Sequence, residues 1–117
     1  MKAFVFCIVF AASSLFALAQ DEGGCYDGRL ENGVGNITEV PCDFANGGVC
    51  QTKIEVNQND TYVDLQCQQD KACTSNQNNN GQNCYSIEAQ EKEVQVCFFC
   101  CSTSLCNIAI DEIPPSP

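Results

Sequence analysis

The sequence predicts a small disulfide-rich all-β module in which three β-hairpins radiate from a cysteine knot. Three observations carry that expectation. The cysteine series closes with Cys97-Phe98-Phe99-Cys100-Cys101-Ser102-Thr103-Ser104-Leu105-Cys106-Asn107. Adjacent cysteines such as Cys100 and Cys101 do not easily bridge each other, so each reaches a different segment and draws several strands together. Ten cysteines follow an N-terminal export leader, an even number at a density that reads as a disulfide framework in a short secreted chain. Between them lie three stretches of β-prone residues separated by turn chemistry.

The leader is read from Met1 to Ala19: Lys2, an apolar run from Ala3 to Phe10, small residues from Ala11 to Ser14, and a second apolar piece ending in Ala17-Leu18-Ala19. Ser13 and Ser14 interrupt the run, which weighs against a spanning anchor, and the small-x-small pattern places cleavage after Ala19. Cys7 leaves with the leader. Residues 20–24 then form a short acidic extension, residues 25–107 the module, and residues 108–117 a mobile C-terminal tail. A module this short has few large apolar side chains, so bridges worth roughly 2–4 kcal/mol each decide whether it folds.

The formal net charge of the whole chain is −10. Without Lys2, fifteen acidic side chains face only Arg29, Lys53, Lys71 and Lys92. Nucleic acid and anionic membrane surfaces are poor partners for such a chain. The acid reads as the solvated surface of a secreted protein.

Along the module, Cys25-Tyr26 opens the fold, and Asp27 to Gly35, rich in Gly, Asn and charge, reads as a loop. Ile37 to Cys42 reads as a short strand stopped by Pro41, making a weak first hairpin. The second hairpin is clearer: Val49 to Val56 alternates apolar or cysteine with polar residues, Asn57-Gln58-Asn59-Asp60 turns, and Thr61 to Cys67 returns. Thr74 to Asn83 has no apolar residue and reads as a loop or disordered insertion. A third hairpin is expected from Cys84–Ile87, through Gln90–Glu93, to Val94–Phe99. The tail, with Asp111, Glu112 and three prolines, reads as extended and mobile. It lacks the apolar segment of a glycolipid-anchor signal, so a released protein is expected.

The closing Cys97-x2-Cys100-Cys101-x4-Cys106-Asn107, the opening Cys25-Tyr26-x-Gly28, the pair Cys42 and Cys50, and the run Cys67, Cys73, Cys84 resemble the three-finger fold of snake neurotoxins and the lymphocyte-antigen/urokinase-receptor (LU) domains. The span from Cys25 to Asn107 is most similar to the nematode ET module, a family of secreted cysteine-rich proteins. Vertebrate LU domains usually place a second cysteine just after the first, where this chain has Gly28, so their extra bridge does not transfer. Ten cysteines allow roughly a thousand pairings, and sequence alone does not choose among them. The three-finger order implies Cys25 with Cys50, Cys42 with Cys67, Cys73 with Cys100, and Cys101 with Cys106. This leaves Cys84 with Cys97, at facing positions of the expected third hairpin. The resemblance also implies a structural Asn107, tying the last loop to the core through its side chain.

Cys97-Phe98-Phe99-Cys100 matches a C-x-x-C redox motif, but its flanks are strand-like and no βαβ pattern surrounds it, so the reading is structural disulfides. Zinc ligation is disfavoured by export and by the absence of histidine. The same absence, with scattered carboxylates and no Ser/Lys pattern, argues against catalysis. No catalytic residue, metal or cofactor is expected. Asn36-Ile37-Thr38 and Asn59-Asp60-Thr61 are glycosylation sequons, Asn59 in the expected turn of the second hairpin. Phe98 and Phe99 should face opposite sides of a regular strand. Tyr26, Tyr62 and Tyr85 read as half-buried sheet residues or binding anchors, and Arg29 and Lys53 stand out as cations in an acidic protein. The functional expectation is a secreted, monomeric, non-enzymatic module presenting hairpin loops to an extracellular protein. The alternatives are a structural matrix or cuticle component, and a small secreted enzyme inhibitor using the loop between Cys73 and Cys84.

Overall fold

The computed structural model describes residues 23–110 and 112–116. The expected leader, residues 1–19, and residues 20–22 lie outside them. Five antiparallel strands form one sheet in the order β2-β1-β4-β3-β5. They are β1 (Gly24–Glu31), β2 (Val34–Pro41), β3 (Gly48–Asn57), β4 (Asp60–Gln69) and β5 (Val94–Cys101). Three helices, α1 (Asp70–Asn78), α2 (Asn80–Asn83) and α3 (Ile87–Lys92), separate β4 from β5. Among the described residues no helix is long and apolar enough to cross a membrane.

The first hairpin is longer than its composition suggested. Asp27–Glu31 is strand, not loop, and Asn32-Gly33 is the entire turn, with both residues at positive φ (51° and 84°). Asn-Gly is the pair that such a two-residue turn favours, because its twist matches that of the strands. The second hairpin follows expectation, with Asn57 opposite Asp60 across a Gln58-Asn59 turn.

The third hairpin is absent, and the Asn-rich segment is not disordered. In place of a strand before β5, the chain makes α1, α2 and α3, which pack along β5. Intrinsic preference does not explain α1, since Thr, Ser and Asn are indifferent helix formers. Tertiary ties hold it: Cys73 is buried and bridged to Cys100. The Gln77 side chain accepts a hydrogen bond from the Cys100 N–H (2.9 Å). In α2, the Asn80 amide accepts from the Phe98 N–H (2.9 Å) and donates to the Phe98 C=O (2.8 Å), replacing the strand that would otherwise pair there. The third helix has ordinary local causes. Ser86 caps its N-terminus by accepting from the Ala89 N–H, Glu88 pairs with Lys92 one turn on, and Glu93 ends it at φ 56°.

One face of the sheet is apolar. Ile54, Val63 and Leu65 are buried there beneath Tyr26, Leu30, Ile37, Val56 and Phe99, all from strands. The remaining cover is Ile113, from the tail. The tail has no regular structure but is seated rather than free, and the Tyr85 hydroxyl donates to the Pro114 carbonyl (2.9 Å). Its Ile108 is exposed.

Five bridges complete the fold: Cys25–Cys50, Cys42–Cys67, Cys73–Cys100, Cys84–Cys97 and Cys101–Cys106. Four of these pairs are the ones the resemblance implied, and Cys84–Cys97 is the pair left over. Cys84–Cys97, however, joins the end of α2 to β5 and not two arms of a hairpin. Three bridges span 25–27 residues, and closing loops of that length contributes about 3–4 kcal/mol each in the chain-entropy account. Cys101–Cys106 spans only 5, worth about 2 kcal/mol, so its larger effect is positional. With Leu105 at φ 55° and its N–H bonded to the Gly24 carbonyl, the short loop delivers Asn107 to the root of the sheet. There the buried Asn107 amide accepts from the Tyr26 N–H (2.9 Å) and donates to the carbonyls of Tyr26 (2.9 Å) and Gln51 (3.2 Å).

Two outcomes follow from this architecture. A Cβ at Gly28, whose φ is 149°, would overlap the Asn36 carbonyl oxygen across the first hairpin, so neither alanine nor the cysteine of an LU domain fits. Gly28→Ala should cost roughly 1–3 kcal/mol, measured by denaturant unfolding of the oxidised protein. Asn107→Asp replaces two donors with a carboxylate facing two carbonyl oxygens in a buried site. Its folded pKa is therefore raised above the unfolded value, and the folded state holds the proton longer. Stability is then greatest below the ordinary carboxyl range and falls as pH rises through the raised value. At neutral pH the loss should be roughly 3–5 kcal/mol, against a much smaller loss in acid, read from thermal unfolding at both pH values.

Candidate interaction surface

The face opposite the apolar core is polar and solvated, and its residues follow from register. Asn36, Arg29, Asp64, Lys53 and Phe98 form one row across all five strands, each beside the next. Cross-strand neighbours share a face, so these side chains emerge together. A second row at the level nearer the turns runs Val34, Glu31, Tyr62, Glu55 and Val96.

The first row is ordered by its own contacts. Arg29 Nη1 spans both carboxylate oxygens of Asp64 (3.1 and 2.9 Å), and its guanidinium lies 4.7 Å from the centre of the Tyr62 ring. Lys53 Nζ sits 5.9 Å from the centre of the Phe98 ring and 3.6 Å from Glu55. Arg29 remains 53% exposed in its side chain, so the ion pair contributes at most about 1 kcal/mol. Its effect is to fix where the guanidinium points. Both cations have an aromatic backing and a carboxylate beside them, an arrangement worth a further ~0.5–1 kcal/mol where exposed.

Phe98 and Phe99 divide as alternation requires, Phe98 under Lys53 and Phe99 in the core. The tyrosines take three roles: Tyr26 packs against the core, Tyr62 lies under Arg29, and Tyr85 holds the tail. Burial pushes the Tyr85 phenol up from its ordinary value. The Tyr62 phenol is raised as well, chiefly by the charge of Asp60, then by burial and by Glu31, with Arg29 acting in the opposite direction.

The hairpin turns are not independent loops. The Asn32 N–H donates to the Thr61 carbonyl (2.7 Å), and its side-chain oxygen accepts from the Thr61 N–H (2.8 Å). On the other side, the Gln58 N–H donates to the Glu93 carbonyl (2.7 Å). All three turn regions are thereby joined. Asn59 is exposed at the second turn, and Asn36 is exposed on β2.

The C-x-x-C motif is divided, Cys97 to Cys84 and Cys100 to Cys73. The sulfurs of Cys25, Cys42 and Cys67 lie within 4.8 Å of one another, but each is spent in a bridge and offers no thiolate. Arg29 and Lys53 were visible in the sequence as rare cations. Their link through Asp64 was not, because it requires β1 beside β4, a pairing that no local signal announces. Comparison with protein-family models, curated proteins and solved structures found no match.

The charge balance around Tyr62 is testable by ultraviolet titration of its phenol. Arg29→Gln removes the one lowering influence and should raise the Tyr62 pKa further. Asp60→Asn removes the largest raising one and should lower it. Unchanged titration in both variants would contradict the geometry.

Proposed function

We propose that the chain is an exported, non-enzymatic binding module of the three-finger type, which meets an extracellular protein through the polar face of its sheet. In this reading β1–β2 is the first finger, β3–β4 the second, and the helices with β5 the third. The order of cysteine partners and the closing asparagine support kinship with LU domains and the nematode ET module. The non-enzymatic part rests on the lack of histidine in the chain.

The row Arg29, Asp64, Lys53 and Phe98, with Tyr62 beside it, carries the binding reading. Arg and aromatic side chains supply most of the energy of protein interfaces. Here they are held in place on a sheet fixed by five bridges, which lowers the entropy cost of association. Glu31, Glu55 and Asp60 around the row favour a partner with a basic rim. The joined turns favour a face over flexible tips, which shifts the contact from loop ends to the sheet.

The test is capture from extracellular extract by immobilised oxidised protein. Wild type and Lys71→Ala, a change on exposed α1, should retain saturable binding of a defined protein. Arg29→Ala and Tyr62→Ala should each weaken it by about tenfold or more. Absence of saturable capture, or equal capture by all four proteins, would refute the proposal.

A further inference from the structure

The sheet leaves two kinds of main-chain edge, and the molecule treats them differently. On β5 the outer edge is covered by side-chain amides: Asn80 on both polar groups of Phe98, and Gln77 on the N–H of Cys100. Where β1 runs past the end of its pairing with β4, Asn107 covers both polar groups of Tyr26. Asn80 and Asn107 each supply both the donor and the acceptor that a neighbouring strand would have supplied, and Gln77 supplies an acceptor.

Strand β2 ends the sheet on the other side and has no such cover among the described residues. It is 8 residues long, about 27 Å of extended chain, and most of it is exposed. Long, flat, open edges pair with other strands unless lysines, prolines or bulges intervene. Glu39 is the sole charged residue of β2, and Pro41 blocks only its last position. The strand does carry the sequon Asn36-Ile37-Thr38 near its middle. Ile37 packs against the core, which turns Asn36 and Thr38 outward on the opposite face. Neighbouring Arg29 leans away from β2 onto Asp64 and Tyr62. Among the described residues the Asn36 amide has no hydrogen-bond partner, unlike those of Asn32, Asn80 and Asn107.

We propose that Asn36 carries an N-linked oligosaccharide whose role is to close the open β2 edge and keep the protein monomeric. This rests on the export reading above, because the modification belongs to the secretory pathway. The step is transfer from a lipid-pyrophosphate-linked oligosaccharide. The anomeric carbon–oxygen bond breaks, the Asn36 amide nitrogen bonds the anomeric carbon and loses a proton, and lipid pyrophosphate leaves. The bulk of the sugar at mid-strand denies a second chain the approach needed to pair with residues 34–40. Without it, the partner best matched to β2 is β2 of a second copy, in an antiparallel two-fold arrangement. The net charge opposes such pairing only weakly at physiological ionic strength, where charges more than about 8 Å apart are screened.

The experiment is expression of the full chain with its own leader in eukaryotic secretory cells, followed by glycopeptide mapping, analytical ultracentrifugation and amide exchange. Wild type should reach the medium glycosylated at Asn36 and sediment as a monomer. Asn36→Gln and Thr38→Ala, which abolish the sequon in two ways, should shift towards dimer mass with concentration and show slowed exchange at residues 34–40. Asn59→Gln, which removes only the sequon at the turn, should stay monomeric. Export with Asn36 unmodified would overturn this proposal and leave the export reading intact, whereas absence from the medium would overturn both. Monomeric Asn36→Gln and Thr38→Ala proteins would overturn the edge-closing role.

Discussion

The buried amide of Asn107 is the contact on which the rest of the structure depends. It joins three segments distant in sequence: the start of β1 through Tyr26, the middle of β3 through Gln51, and the closing loop that carries it. Buried main-chain groups left unpaired cost far more than a hydrogen bond gains, so a root of this kind needs a donor and an acceptor on one side chain. Asparagine supplies both at short reach. The Cys101–Cys106 bridge and the left-handed Leu105 place it, and the Cys25–Cys50 and Cys42–Cys67 bridges pack beside it in one cluster.

The same device recurs on β5 and at the first turn. Asn80 and Gln77 serve β5 as Asn107 serves β1, and Asn32 extends the β1–β4 ladder around the first turn. The high asparagine and glutamine content between Cys73 and Cys84 thus has a structural purpose. It lets a helical segment lie against a strand edge and satisfy it. An apolar helix could cover that edge but could not bond to it.

Sequence and structure agree best where a local signal is strong. The alternation of Val49–Val56 and the return through Thr61–Cys67 specify the central hairpin, and the closing cysteines mark the root. In the first hairpin Asn32-Gly33 was itself a sufficient turn signal, but the surrounding charge and glycine obscured the strands. The third region went further astray for two reasons. Ser86 followed by Glu88, Ala89, Gln90 and Lys92 carries a cap and good helix formers, so α3 is legible locally even though the flanking β-prone residues suggest a strand. The first helix was not legible, because its stability comes from Cys73 and from amide contacts to a strand more than twenty residues away. The polar row behind Arg29 was hidden for the same reason: composition revealed its cations, and only long-range register placed Asp64 between them.

The seating of Ile113 and Asn107 has a consequence for biosynthesis. The segment that follows β5 supplies the amide that completes β1, the bridge that positions it, and Ile113, which covers the apolar face from outside the sheet. A nascent chain that has not yet emerged as far as this segment can form the central hairpin and bridge Cys42 to Cys67, but it has no means of finishing its first strand. A chain cut just after β5 is therefore an incomplete domain rather than a trimmed one.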